Sequence, residues 1–283
     1  MKYGLSSLAW ISPFTNSETG LLQKARGMGF DVFEICVEDL TVLDDWAALK
    51  KAARAAQVSV PLCGAYGPGR DISSDDADIR KDGIAYNKAL IDMANELEEP
   101  YVIGPMYSAV GKTRRLTEAQ KAEQTKWAID GIAECGVYAK PKGVSLGVEP
   151  LNRFETDFMN TADQALAFVN QINMDNVKIY LDTFHMNIEE KSLPGAIRKC
   201  GESLLGFHAC GNDRGTPGED DNIDWQGIKK ALNDISYKGA LVIESFTPDC
   251  VEIATAASIW RKLAASPDAL ASDGIKFLKS VFD

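Results

Sequence analysis

Hydrophobic positions along this chain follow two alternating patterns. Short runs of β-branched and apolar residues recur, and each is followed by a longer stretch in which apolar residues return every three or four positions. A short apolar run marks a strand, and a period near 3.6 marks a helix buried on one face. Eight runs stand out: Gly4–Ala9, Val32–Cys36, Val58–Cys63, Tyr101–Gly104, Val144–Glu149, Val177–Asp182, Leu205–His208 and Ala240–Glu244. Their starts lie 28, 26, 43, 43, 33, 28 and 35 residues apart. A strand with its crossover helix takes roughly 30 residues. Eight such units predict a (β/α)₈ TIM barrel, with residues 1–283 as one α/β domain. An open doubly wound sheet would instead carry a glycine-rich phosphate loop after its first strand. Ser6-Ser7-Leu8-Ala9-Trp10 is no such loop.

The intervening helices announce their ends. In Thr161-Ala162-Asp163-Gln164 the threonine and glutamine form a capping box, each satisfying the other's backbone N–H. Ala162, Ala165, Leu166, Val169 and Ile172 then share one helical face. Thr117 and Gln120 open another helix in the same way, and Gly27 and Gly29 punctuate the turn before Val32. Tyr101–Gly104 leads into Gly111-Lys112-Thr113, which looks like the end of a phosphate-binding loop. That loop needs a glycine five positions before the Gly-Lys pair, where this chain has Met106. The segment therefore reads as a solvated loop.

Composition narrows the function. A domain of 283 residues buries roughly three quarters of its unfolded surface, so it needs no disulfide or structural metal. The 30 basic and 41 acidic residues leave a net charge of −11. That balance argues against a nucleic acid or an anionic membrane as partner and makes a multiply phosphorylated substrate a poor fit. The start Met1-Lys2-Tyr3-Gly4, with Pro13 close behind, does not resemble a signal peptide, and no run of about 18 apolar residues occurs. A soluble, cytoplasmic protein is expected. None of the six cysteines forms a Cys-x-x-Cys pair, so they read as reduced thiols in the core. Cys63 and Cys210 lie beside strand ends, where they would line a pocket.

The last four runs each finish in a residue able to bind a metal: Glu149, Asp182, His208 and Glu244. In a barrel, the C-terminal ends of neighbouring strands converge on one mouth, where active sites form. A carboxylate at a strand end is commonly a helix cap or a surface group, but four in register on successive strands are hard to attribute to capping. The chain has only two histidines, His208 at a strand end and His185 three residues beyond Asp182. Three carboxylates with one imidazole suit Mn²⁺ first, with Co²⁺ or Mg²⁺ as alternatives, better than a closed zinc site. Glu155, His185 and Arg214 lie nearby in sequence and have the groups to hydrogen-bond a polyol; the plainer reading is a surface ion-pair network. Arg214 brings a fork of donors suited to an oxygen gaining negative charge.

These residues resemble the ketose 3-epimerases (D-tagatose, D-psicose or D-allulose, and L-ribulose 3-epimerases) of the xylose-isomerase-like barrel superfamily. The resemblance runs over nearly the whole chain. Its most specific parts are Glu149 with Leu151-Asn152-Arg153-Phe154-Glu155, the run Leu181–Glu190, Phe207-His208 leading to Arg214 and Pro217-Gly218, and Glu244 with Trp260-Arg261. It implies that Glu149, Asp182, His208 and Glu244 bind the metal, that Glu149 and Glu244 are also the acid/base pair, and that Glu155, His185 and Arg214 hold the sugar around C1 to C3. It implies no organic cofactor, a free ketose as substrate, and a homodimer or homotetramer. Two places depart from the pattern. Gly211-Asn212 replaces an acidic-polar pair after the His208 strand, and the small residues Ser6 to Ala9 precede Trp10 where related enzymes carry rings. Ser6, Trp10 and Cys63 are the expected pocket wall, loose around the far end of the sugar.

The implied reaction removes the C3 proton of a ketose next to its C2 carbonyl and returns one to the opposite face. The alternatives are an aldose–ketose isomerase on the same scaffold, moving the proton between C1 and C2, and a non-catalytic sugar- or metal-binding protein. Endonuclease IV-like enzymes of the superfamily need a histidine-rich zinc cluster, which two histidines and net −11 do not supply.

Overall fold

The structure, a computed structural model, describes every residue except Glu219, and only the backbone of Glu252. Eight parallel strands, β1 (Lys2–Ser6), β2 (Val32–Val37), β3 (Leu62–Gly64), β4 (Tyr101–Gly104), β5 (Ser145–Val148), β6 (Val177–Asp182), β7 (Leu204–Ala209) and β8 (Ala240–Ile243), pair in chain order. Pairing of β8 with β1 closes the barrel. Outside it lie α1 (Gly20–Gly27), α2 (Trp46–Ala56), α3 (Ala77–Leu97), α4 (Glu118–Ala139), α5 (Ala162–Ile172), α6 (Thr183–Glu189), α7 (Leu193–Cys200), α8 (Trp225–Asp234), α9 (Val251–Ala256) and α10 (Pro267–Phe282). The expected TIM barrel is therefore the fold. Among the described residues no helix is long and apolar enough to cross a membrane.

Two strands depart from the hydrophobic pattern by more than one residue, for local reasons. The first strand stops at Ser6, whose hydroxyl accepts from Leu8 N at 3.4 Å and starts a 3₁₀ turn over Ser7–Ala9. The third is confined to Leu62–Gly64. Pro61 has no N–H to give a ladder, and pairing upstream of it survives only as a bridge between Val32 and Ser59. Both capping boxes form, at Thr117/Gln120 and Thr161/Gln164. The buried face of α5 includes Phe168, while Leu166 is half-buried.

Each strand is covered on both sides, and the period of two decides what faces where. Ile179 and Leu181 of β6, Phe207 of β7 and Leu241 and Ile243 of β8 join the large core shared with the helices. The intervening residues point into the barrel. There Tyr180 packs with Cys63 and Ile103, and Val32 packs with Ala240 and Val242. Gly206 makes room for the Tyr180 ring: a Cβ at that position would stand 2.0 Å from Tyr180 Cε2. One step up each strand, two residues further on, the inward positions are Glu149, Asp182, His208 and Glu244. The apolar layer is thus the floor of the site.

This packing predicts that Gly206→Ala destabilises the protein by about 1–3 kcal/mol, as overpacking of a filled core does. Thermal or urea unfolding checks it, and an unchanged midpoint would show that the Tyr180 ring moves aside freely.

Candidate active site

Glu149 directly follows β5, Asp182 ends β6, His208 lies one residue before the end of β7, and Glu244 directly follows β8. Their ligand atoms all lie within 4.8 Å of one another. Nδ1 of His208 stands 3.2 Å from Glu149 Oε1, 3.2 Å from Glu244 Oε2 and 4.0 Å from Asp182 Oδ2. All four side chains are buried. Asp182 divides its oxygens: Oδ1 accepts from Phe184 N at 2.7 Å and caps α6, while Oδ2 faces the cluster. The helix-cap reading of a strand-end carboxylate therefore holds for Asp182, and its second oxygen still faces the cluster. Three carboxylates and one ring nitrogen, gathered without bulk water, fit a hard divalent cation.

Arg214 is drawn into the same cluster. Its Nη1 donates to Asp182 Oδ2 and its Nη2 to Glu244 Oε2 at 2.8 Å. The guanidinium carbon lies 4.9 Å from the Phe184 ring centre and 4.5 Å from that of Phe246. The turn after β7 aims it: Arg214 N donates to Gly211 O and Gly211 N to Gly215 O, with Arg214 in the left-handed region at φ 68°. Gly211-Asn212, the local departure from the family pattern, belongs to that turn.

The two glutamates differ electrostatically. Burial pushes Glu149 up to about 7, against the pull of His208. Burial acts the same way on Glu244, but His208 and Arg214 beside it outweigh burial and hold it at about 2. Burial thus dominates at Glu149, while the two neighbouring side chains dominate at Glu244. His208 is pulled up well above the ordinary range by Glu244, Glu34 and Glu149, which overcome its burial.

His185 is buried and stays neutral, since burial lowers it to about 3. Its Nδ1 lies 3.2 Å from Asn152 N and 2.9 Å from Asn152 Nδ2. A backbone N–H only donates, so Nδ1 accepts and Nε2 keeps the proton. Asn152 Nδ2 also lies 2.8 Å from Glu155 Oε1, so one asparagine positions both residues. Half-buried Glu155 and buried His185 are therefore joined through Asn152, and Arg214 is tied to Asp182 and Glu244, in place of the surface ion pairs that sequence alone allowed.

A cavity of about 320 Å³ opens over the cluster. Glu149, Glu155, His185, Arg214 and Glu244 line its polar side; Leu8, Cys63, Tyr66, Val110, Phe246 and Ile253 line the apolar side. Cys63 is among the residues lining it, and Ser6 and Trp10 are placed elsewhere. With the strand ending at Ser6, the 3₁₀ turn buries Ser6, Ser7 and Ala9 and presents Leu8 instead. Trp10 stacks on Phe33 at 5.8 Å beneath Lys24. Cys210 sits under the site, its Sγ 3.6 Å from Asp182 Oδ1.

Lys112 is a second correction. It is no solvated loop residue: its side chain is 8% exposed, and its Nζ meets Asp71 Oδ2 at 2.6 Å and Ser73 Oγ at 2.7 Å. On either side, Gly111 N donates to Glu155 O and Asp157 N to Lys112 O. The loop after β4 thus ties the Glu155 segment to the loop after β3. Sequence reasoning also missed Glu34, whose Oε1 lies 2.7 Å from His208 Nε2. The available signal was a lone charge inside the apolar run Val32–Cys36.

A closed parallel barrel with such a mouth is the architecture of the xylose isomerase-like enzymes, and the family model described as Xylose isomerase-like TIM barrel matches residues 22–281. The chain is 32% identical to a probable ketose 3-epimerase of Synechocystis over all of this chain and 97% of that one. It is 31% identical to the D-psicose 3-epimerase of Agrobacterium fabrum, over 95% and 93% of the two chains. The crystal structure of D-psicose 3-epimerase from Clostridium cellulolyticum with D-tagatose superposes with a TM-score of 0.93 and 30% identity over the full length of both chains. The chain belongs to the ketose 3-epimerases of this family, and is a carbohydrate epimerase of the isomerase class.

Lys112→Met would leave Asp71 buried without its cation. Loss of one partner from such a pair costs about 3–5 kcal/mol. Chemical denaturation is expected to register that loss, and a change below 1 kcal/mol would mean that the loop does not depend on the pair.

Proposed function

We propose that this enzyme epimerises free ketoses at C3, with Glu149 and Glu244 as the acid/base pair and a divalent metal, Mn²⁺ before Co²⁺ or Mg²⁺, held by Glu149, Asp182, His208 and Glu244. The observation that carries the reading is the pair of buried glutamates that enter one cavity from β5 and β8, gathered with Asp182 and His208 into one cluster. When bound, the metal supplies Lewis-acid stabilisation of negative charge on the sugar oxygens.

The chain's own groups do the rest. The proton at C3 is acidic because the C2 carbonyl delocalises the resulting charge as an enediolate. One glutamate, as carboxylate, takes that proton, and the other, as carboxylic acid, returns one from the opposite face, each contributing in the usual range for a positioned acid or base. Which one starts depends on the epimer that enters. His185 Nε2–H and the Arg214 guanidinium donate to the oxygens where charge grows, and Glu155 accepts from a sugar hydroxyl. The apolar wall of Leu8, Val110 and Ile253 leaves the far end of the sugar without hydrogen bonds, in keeping with a range of ketopentoses and ketohexoses. Relatives crystallised with D-tagatose and D-allulose support the substrate class. The reading carries with it a cytoplasmic homodimer or homotetramer with no organic cofactor.

Reaction in D₂O tests the chemistry directly. Deuterium is expected at C3 of the recovered ketose; label at C1 or C2 would make the enzyme an aldose–ketose isomerase, and no label a binding protein. Glu244→Gln is expected to lower turnover by about 10²–10⁴ with the fold intact by circular dichroism; retention of more than a tenth of the activity would remove Glu244 from the pair. EDTA is expected to abolish activity and Mn²⁺ or Co²⁺ to restore it, and full activity in the metal-stripped protein would exclude the metal role.

A further inference from the structure

We propose that Glu34 is a positioning residue that fixes His208 as the Nε2–H tautomer and so turns its Nδ1 lone pair toward Glu149, Asp182 and Glu244. The proposal rests on the reading of that cluster as a metal site. Glu34 comes from β2, far from the four cluster residues in sequence, and is fully buried on the inward face of its strand. Its Oε1 meets His208 Nε2 at 2.7 Å, on the side of the ring opposite Nδ1. Nε2 is the edge bonded to Glu34 and Nδ1 is the edge facing the cluster, 3.2 Å from both Glu149 and Glu244, so Nδ1 is the nitrogen placed to ligate a cation held there.

The brace has a second member. Tyr180 donates its hydroxyl to Glu34 Oε2 at 3.3 Å, and its ring packs edge-on against His208 at 4.6 Å between centres. Both Glu34 oxygens are therefore engaged, and the imidazole is held by a bond at one edge and a ring against its side. Gly206, directly below His208 on the inner face of β7, supplies the space that Tyr180 fills. Glu34 also approaches Cys63 and Glu244 within 4.8 Å. With its oxygens committed to His208 and Tyr180, it acts through the histidine instead of as a further ligand.

Carboxylates that orient a ligating histidine typically contribute 10–100-fold to metal affinity. The test is Mn²⁺ binding to the full-length protein, by titration calorimetry or the free-Mn²⁺ EPR signal, for the wild type, Glu34→Gln and Glu34→Leu. Glu34→Gln keeps the shape but loses the charge; at least a tenfold weaker Mn²⁺ affinity is expected, with a larger loss for Glu34→Leu. Wild-type affinity in a folded Glu34→Gln would reduce Glu34 to packing and overturn the proposal. A wild-type protein that binds no Mn²⁺ would instead overturn the metal site itself. A second measurement needs no variant. With two histidines in the chain, long-range ¹H–¹⁵N spectra of ¹⁵N-histidine-labelled wild type with Zn²⁺ resolve both rings. Protonated Nε2 with a metal-shifted Nδ1 at His208 is expected; a shift at Nε2, or at neither nitrogen, contradicts the assignment.

Discussion

Three carboxylates buried side by side repel one another, and the mouth of this barrel is organised around keeping them together. Glu149, Asp182 and Glu244 converge where water has little access, with the Arg214 guanidinium bonded to two of them and Nδ1 of His208 within 4.0 Å of all three. Removing one partner from a buried charge cluster is costly, so each group is over-determined. Asp182 is fixed by its cap on α6, Arg214 by a tight turn and two aromatic faces, and His208 by Glu34. Glu244 lies against both the Arg214 guanidinium and the His208 ring, while Glu149 has only the histidine.

The closed parallel sheet makes this arrangement affordable. Strands covered on both faces read as nearly unbroken apolar runs, and their inward positions stack in layers. The lower layer is filled by Tyr180, Ile103 and Val242, with glycines opposite the largest ring. A rigid floor lets the layer above hold charged groups at fixed separations. The loops add what the strands cannot. Asn152 couples Glu155 to His185, and Lys112 links that loop to its neighbours. Polar groups from the cluster and its loops line the cavity together with apolar residues such as Leu8, Val110 and Ile253.

How much of this is legible in the chain depends on the range of the interaction. β4 and β6 match their hydrophobic runs to the residue, and the four cluster residues stand out because each is a polar residue closing an apolar run. Glu34 does not stand out in that way: it lies in mid-strand, and its partner is 174 residues away, so only barrel closure brings the two together. Lys112 looks solvated for the same reason, with Asp71 41 residues distant. Ser6 and Trp10 are misplaced by a local effect. The serine that ends β1 also starts a 3₁₀ turn, which shifts the phase of the side chains that follow and puts Leu8 at the cavity. Patterns of period 2 and 3.6 carry the framework; contacts across the barrel and changes of phase at strand ends are written in three dimensions.

If Glu149, Asp182, His208 and Glu244 act as one metal-binding unit, a single divalent cation sits among them. Anomalous diffraction at the manganese edge, from crystals equilibrated with Mn²⁺, tests it most directly. The account predicts a single strong peak within about 2.0–2.6 Å of the four ligand atoms, the range of hard divalent cations with oxygen ligands, with His208 contributing Nδ1. A peak elsewhere in the chain, or none at this cluster, would contradict it.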